Sequence, residues 1–90
     1  MCEMKRASQF AKDYVKAYKA GKDLDKIDKI MFRLANQEPL EPKHKDHILT
    51  GNYKGHRECH ITPDWLLIYK IDNENNIITF VRTGTHSELF

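Results

Sequence analysis

Trp65-Leu66-Leu67-Ile68-Tyr69-Lys70-Ile71 is the most apolar stretch of the chain. Thr62-Pro63-Asp64-Trp65 precedes it, a tight turn with proline at the favoured second position, and a polar loop over 72–76 follows it. A short apolar run between two turns reads as a strand. Because nearly every position is apolar, the strand should be covered on both faces and lie at the centre of a sheet. Outward from it, residues 57–62 and 77–83 alternate polar and apolar, as strands on either side of it in an antiparallel meander would. Residues near 47–53 are a plausible further strand. Gly84 breaks the last one, and 85–90 form a tail of about one helical turn.

The other half of the chain is helical. Ser8 reads as an N-cap, Phe10, Tyr14, Ala17 and Tyr18 follow at helical spacing, and Gly21 stands at a C′ position. Asp23 opens a second helix with the stripe Leu24, Ile27, Ile30, Met31 and Leu34. Asn36 ends it, and Pro39 and Pro42 forbid continuation. The short break between the helices implies a helical hairpin. Residues 2–6 read as a short edge strand and 37–46 as a polar loop. The class is α+β: one domain over residues 1–90, a helical hairpin packed on a twisted antiparallel sheet.

Ninety residues support one modest core. No apolar run approaches the roughly 20 residues of a membrane span, and the N-terminus has no hydrophobic stretch after its charges. Cys2 and Cys59 form no disulfide framework and are expected as reduced thiols of a cytoplasmic protein. The net charge of +2 is mild, so its distribution says more. Acidic residues offset the helix lysines. Across 43–57 only Asp46 opposes Lys43, Lys45, Lys54 and Arg57, which makes this run a candidate phosphate-facing patch.

The chemistry gathers between His47 and Phe90. His47, His60, Asp64, Arg82, His86 and Phe90 fall at strand ends and turns, where a sheet holds reactive groups in the open. Imidazoles point to proton transfer near neutral pH, and arginines to an anionic substrate such as a phosphate. Strand parity puts Cys59 and Ile61 toward the core and His60 on the other face, near Asp64 across the turn. The two can come within hydrogen-bond reach; equally, Asp64 can serve the turn and His60 the solvent. His86 follows Thr83-Gly84-Thr85, a bend suited to a positioned acid. Arg82 shares parity with Ile78 and Phe80, where a guanidinium needs a partner or a cleft. His56 and His60 on a strand would be about 13 Å apart, too far to share one metal. CxxC, HExxH and glycine-rich phosphate loops are all missing, so no metal and no cofactor is expected.

Lys45-Asp46-His47-Ile48-Leu49, Arg57-Glu58-Cys59-His60, Pro63-Asp64-Trp65 and Arg82-Thr83-Gly84-Thr85-His86-Ser87-Glu88-Leu89-Phe90 together resemble the YafQ-type toxins of the RelE/ParE superfamily of bacterial toxin–antitoxin systems. The likeness is close over 45–90 and architectural over 1–44. It implies a RelE-like fold and a ribosome-dependent endoribonuclease that cuts mRNA in the A site without a metal. It also implies a cognate antitoxin, usually with a ribbon-helix-helix end through which operator DNA is reached. The family's functional positions fall on His47, His60, Asp64, His86 and Phe90, with Arg82 supporting. The resemblance leaves His60 or Asp64 as base, with His47 as an alternative or a phosphate ligand, and gives His86 as acid. Phe90 would stack on a base, and Lys45, Lys54 and Arg57 would meet RNA. The rival expectation is a ParE-like toxin that acts by binding gyrase, since fold alone does not separate the two.

Overall fold

A computed structural model describes all residues 1–90. Five strands form one mixed sheet in the order β1-β5-β4-β3-β2: β1 Glu3–Arg6, β2 His47–Ile48, β3 Arg57–Thr62, β4 Trp65–Asp72 and β5 Ile77–Gly84. Helices α1 (Ser8–Lys19) and α2 (Leu24–Ala35) cover one face, and the short α3 (His86–Leu89) closes part of the other. No helix is long and apolar enough to cross a membrane.

The meander β2–β5 is antiparallel as expected, with WLLIYKI in the middle. The sheet as a whole is not purely antiparallel, because β1 joins the far edge of β5 in parallel, Glu3 opposite Ile77 and Arg6 opposite Phe80. Along β4 the side chains divide. Trp65, Leu67 and Tyr69 enter the helix-side core with Phe10, Ile27, Met31 and Phe80; Leu66 and Ile68 face the other way, under Leu89. Both faces are thus covered from Trp65 to Tyr69, while Lys70, Ile71 and Asp72 are exposed.

Both helices end in the same way. The N–H groups of Gly21 and Lys22 donate to Tyr18 and Ala17, and those of Gln37 and Glu38 to Leu34 and Arg33, each pair turning the chain through a left-handed residue. Gly21 takes that conformation without cost; Gln37 does so at φ 59°. Asp23 caps α2 by accepting from the Asp25 N–H, as read from sequence. Ser8 is not the cap of α1. Ala7 holds that position with its N–H on Phe80 O, so the backbone of β5 rather than a hydroxyl starts the helix.

Other boundaries also moved. Residues 47–53 do not form one strand: pairing stops at Ile48, and Gly51–Tyr53 is a single 3-10 turn entered through Gly51 at φ 71°. Within the loop after α2, Pro42–His44 forms another. Gly84 ends β5 as its last residue, one beyond the expected end at Thr83. Val81 is an extra residue between the pairs Ile68–Arg82 and Tyr69–Phe80. That bulge inverts the expected parity, so Arg82 does not share the face of Ile78 and Phe80.

Candidate active site

The sheet face away from α1 and α2 has a small apolar floor of Leu66, Ile68 and Leu89, with Leu49, Tyr53 and Val81 packed against it. Polar groups ring this floor. Register sets His47 directly opposite Glu58, and β3 carries His60 on the same face two residues on. Glu58 is 4% exposed. Its Oε1 stands 3.5 Å from His47 Nε2 and 3.9 Å from His60 Nε2, while Oε2 has no hydrogen-bond partner.

The tautomers follow from the neighbours. His47 Nδ1 donates to Lys45 O at 2.6 Å, which leaves its Nε2 turned toward Glu58. The Nδ1 of His60 is 3.4 Å from Pro63 O. From the other side His44 Nδ1 donates to the backbone carbonyl of His60 at 2.6 Å, tying the 3-10 turn to β3.

His60 and Asp64 do not pair. Asp64 is exposed in the β3–β4 turn and no hydrogen bond joins it to the imidazole. The register shift between His60 and Thr62 and the tightness of the turn leave the ring against the Pro63 carbonyl instead.

At the C-terminal side, α3 begins at His86 behind a capping box. Glu88 N–H donates to Thr85 Oγ1, and Glu88 Oε1 accepts from Thr85 N at 2.8 Å. Lys16 of α1 reaches Glu88 Oε2 at 2.5 Å. That ammonium and the Thr85 N–H hold the Glu88 carboxyl down at about 2. One turn on, the Phe90 ring lies 5.0 Å from the His86 ring and 5.7 Å, edge to face, from Tyr53. Phe90 is exposed and the buried anchor of the tail is Leu89.

Arg82 stands between these groups and α1. Its Nε donates to Asp13 Oδ2 at 2.7 Å, and this bond together with the charge of Asp13 raises the guanidinium further above its ordinary range. The partner that an arginine on this strand requires is therefore an acid on the first helix.

Of the basic residues expected to meet RNA, Lys45 and Lys54 are exposed. Lys45 sits in a left-handed conformation at φ 47° just before His47. Arg57 is not beside the histidines. It pairs with Tyr69 on the helix side of the sheet, and its Nε lies 3.4 Å from Asp46, which also accepts from Tyr69 OH. Cys59 is buried and burial pushes its thiol up, so it stays neutral and unreactive. Both cysteines are free.

Four participants were missed from sequence: Glu58, Asp13, Tyr53 and His44. Glu58 shares strand parity with His60, and that was its signal. Asp13 falls in the apolar stripe between Phe10 and Ala17, where an acid must have a partner.

No three His, Cys, Asp or Glu side chains are arranged to hold a metal ion. The nearest approach is His47, His60 and Glu58, in which one carboxylate oxygen is shared.

The sequence profile of YafQ, a bacterial toxin of type II toxin–antitoxin systems, matches residues 2–90. The chain is 42% identical over 89 residues to the mRNA interferase toxin YafQ of Escherichia coli K12, covering 98% of this chain and 95% of that one. It superposes on a metal-bound toxin from Helicobacter pylori with a TM-score of 0.94 at 44% identity, over 100% of both chains. Against YafQ in the E. coli DinJ–YafQ toxin–antitoxin complex the TM-score is 0.88 at 41% identity, over 99% of this chain and 97% of that one. The chain belongs to the YafQ toxin family, and its fold is the RelE-like fold expected from sequence.

Proposed function

We propose that the chain is an mRNA interferase that cuts message in the ribosomal A site, needs no metal for the chemistry, and is neutralised by a cognate antitoxin of ribbon-helix-helix type. The observation that supports this most is the apolar floor on the open sheet face, with His47 and His60 gathered at Glu58 on that face and His86 with Phe90 on the helix that supplies Leu89 to it. A surface that only binds gyrase has no use for three imidazoles on a rigid rim.

In this scheme the message supplies the nucleophile. Its 2′-oxygen attacks the adjacent phosphorus, the bond from phosphorus to the 5′-oxygen breaks, and a 2′,3′-cyclic phosphate and a 5′-hydroxyl result. His60 accepts the 2′-OH proton. It is preferred to Asp64 because it sits beside Glu58. His86, exposed on the first turn of α3, delivers a proton to the leaving 5′-oxygen. His47, hydrogen-bonded through Nδ1, holds the phosphate with Arg82, whose charge opposes that developing on the equatorial oxygens. Phe90 stacks on a base; Lys45 and Lys54 meet flanking phosphates. Asp64, exposed in the β3–β4 turn, and Arg57, on the helix side of the sheet, lie outside the scheme. The shared-oxygen set His47, His60 and Glu58 is not arranged as a metal centre, and no step runs through one.

The test is incubation of the chain with translating ribosomes and mapping of message ends. Cuts with 5′-hydroxyl termini are expected, and chelator pretreatment of the toxin should not reduce them once ribosomal magnesium is restored. His86→Ala should lower the rate about 10²- to 10⁴-fold while fold and antitoxin binding persist. A required stoichiometric metal, a loss below about tenfold, or blocked gyrase supercoiling with no cuts would each overturn the reading.

A further inference from the structure

Two acids are buried in this molecule outside the reach of bulk water, and they differ. Glu58 leaves one oxygen unpaired, whereas Asp13, 8% exposed, has four donors. Asp13 Oδ2 accepts from Arg82 Nε at 2.7 Å and from the Thr83 N–H at 3.2 Å; Oδ1 accepts from Arg82 Nη2 at 3.3 Å and from Gln9 Nε2 at 3.1 Å.

This arrangement is more than α1 needs to stay on the sheet. Phe10 already packs on Phe80 with ring centroids 5.9 Å apart, and the Ala7 N–H donates to Phe80 O. A buried ion pair adds little net stability over an apolar pair of the same size. What it does add is orientation. Beyond Phe80, β5 has lost its neighbour β1, and the bulge at Val81 turns Arg82 out of the expected face. Arg82 keeps Ile68 of β4 beside it, but on its other side no strand flanks its long side chain. A guanidinium is planar, so gripping one edge fixes the opposite one. Of its five N–H groups, Asp13 takes one on Nε and one on Nη2. The remaining three, two on Nη1 and one on Nη2, form the outer edge, which suits two oxygens of a phosphate. The side chain is 25% exposed, so this edge is open to a ligand.

We propose that Asp13 is a positioning residue for cleavage, which holds the Nε edge of Arg82 so that its outer edge faces the scissile phosphate. The proposal rests on the reading of Arg82 as the charge-stabilising group, and the test keeps the two apart. Asp13→Asn, Asp13→Glu, Arg82→Ala and the Asp13→Asn/Arg82→Ala double variant are compared in single-turnover cleavage on programmed ribosomes. Ribosome affinity, thermal melting and the Arg82 Nε–H proton resonance are recorded alongside.

Asp13→Asn should slow the maximal rate roughly 10- to 100-fold, as misplacement of a catalytic group does, at nearly unchanged affinity. It should also move the Nε–H resonance toward that of a free arginine. In the Arg82→Ala background the same change should matter by less than about twofold, because the residue it orients is gone. Asp13→Glu, which keeps the charge, should recover part of the rate. Equal losses in both backgrounds, or an unaltered resonance, would mean that Asp13 serves only packing. If Asp13→Asn does not fold, Asp13→Glu in both backgrounds decides by the same rule. Should Arg82→Ala itself keep the full rate, the role given to Arg82 fails by that arm, and positioning for catalysis fails with it.

Discussion

The two faces of the sheet are built on opposite principles. Toward α1 and α2, fifteen buried residues make a closed apolar core, and its one buried acid, Asp13, is satisfied on both oxygens. On the other face only Leu66, Ile68 and Leu89 are fully covered, and the buried acid there, Glu58, has an oxygen with no partner. An unmet buried acceptor costs about 1–3 kcal/mol. The fold bears that cost where imidazoles gather and avoids it where helices pack. One strand serves both sides: alternate residues of β4 stabilise the molecule or floor the site. Substitutions on the two faces should therefore fail differently, in stability on one and in chemistry on the other.

The largest expected effect lies on the helix side. Trp65 is 2% exposed, its Nε1 donates to Thr83 Oγ1 at 2.9 Å, and Lys22 Nζ lies over the ring. Trp65→Ala leaves a cavity and removes the donor to Thr83 Oγ1, which keeps only its bond to Leu66 O, so denaturant unfolding should show a loss of about 3–5 kcal/mol. Molecules still folded at low temperature should cleave at close to the normal rate. Unchanged stability with abolished cleavage would place Trp65 against substrate and erase the division between the faces.

A smaller effect, of the opposite kind, is expected at Phe90. It is 56% exposed, and Leu89 already anchors the tail at 7%. Phe90→Ala should lower cleavage by the equivalent of about 1–3 kcal/mol, the worth of one base stacked on an aromatic ring. The melting temperature should hardly move. Phe90→Trp should keep more activity than Phe90→Leu, since stacking needs a flat ring. If Leu serves as well as Trp, or if Ala lowers the melting temperature as a core truncation does, the contacts with Tyr53 and His86 are structural.

The helix-side half was the more legible in sequence. Apolar stripes place α1 and α2, Gly21 and Asp23 mark their junction, and alternation with turn residues places β3, β4 and most of β5. What escaped was set by distant pairing. The parallel addition of β1 depends on where the helical hairpin returns the chain, the bulge at Val81 reverses the face of Arg82, and Gly51 cuts β2 short. In the site, residue type drew attention to His60 and His86, while the family resemblance was what singled out His47 and Phe90. The acids were harder, because a carboxylate's part depends on what stands opposite. Asp64 looked like the partner of His60 through chain proximity; Glu58 is nearer because register, not sequence distance, brings side chains together across a sheet.

The smallest effect tests how firmly the core side holds the site side. Lys16 and the Thr85 N–H bind Glu88 and lower its carboxyl from 4.5 to about 2. A carboxylate whose folded value is depressed contributes stability that is complete above its unfolded value and is lost as pH falls through the folded one. The window is therefore from about 4.5 down to about 2. Glu88 is about a third exposed and its partner Lys16 more so, so solvent screens the pair and the global melting temperature should shift little. The response should instead be local. Across that window, amide exchange at Leu89 and Phe90, whose N–H groups close the turn onto Thr85 O and His86 O, should quicken before exchange in β4 does. Glu88→Gln should remove this early phase and leave α3 loosened at neutral pH, with the spacing of His86 and Phe90 loosened with it. Exchange that quickens in α3 and β4 together would show that the tail has no separate stability, and that the site is held by the core as a whole.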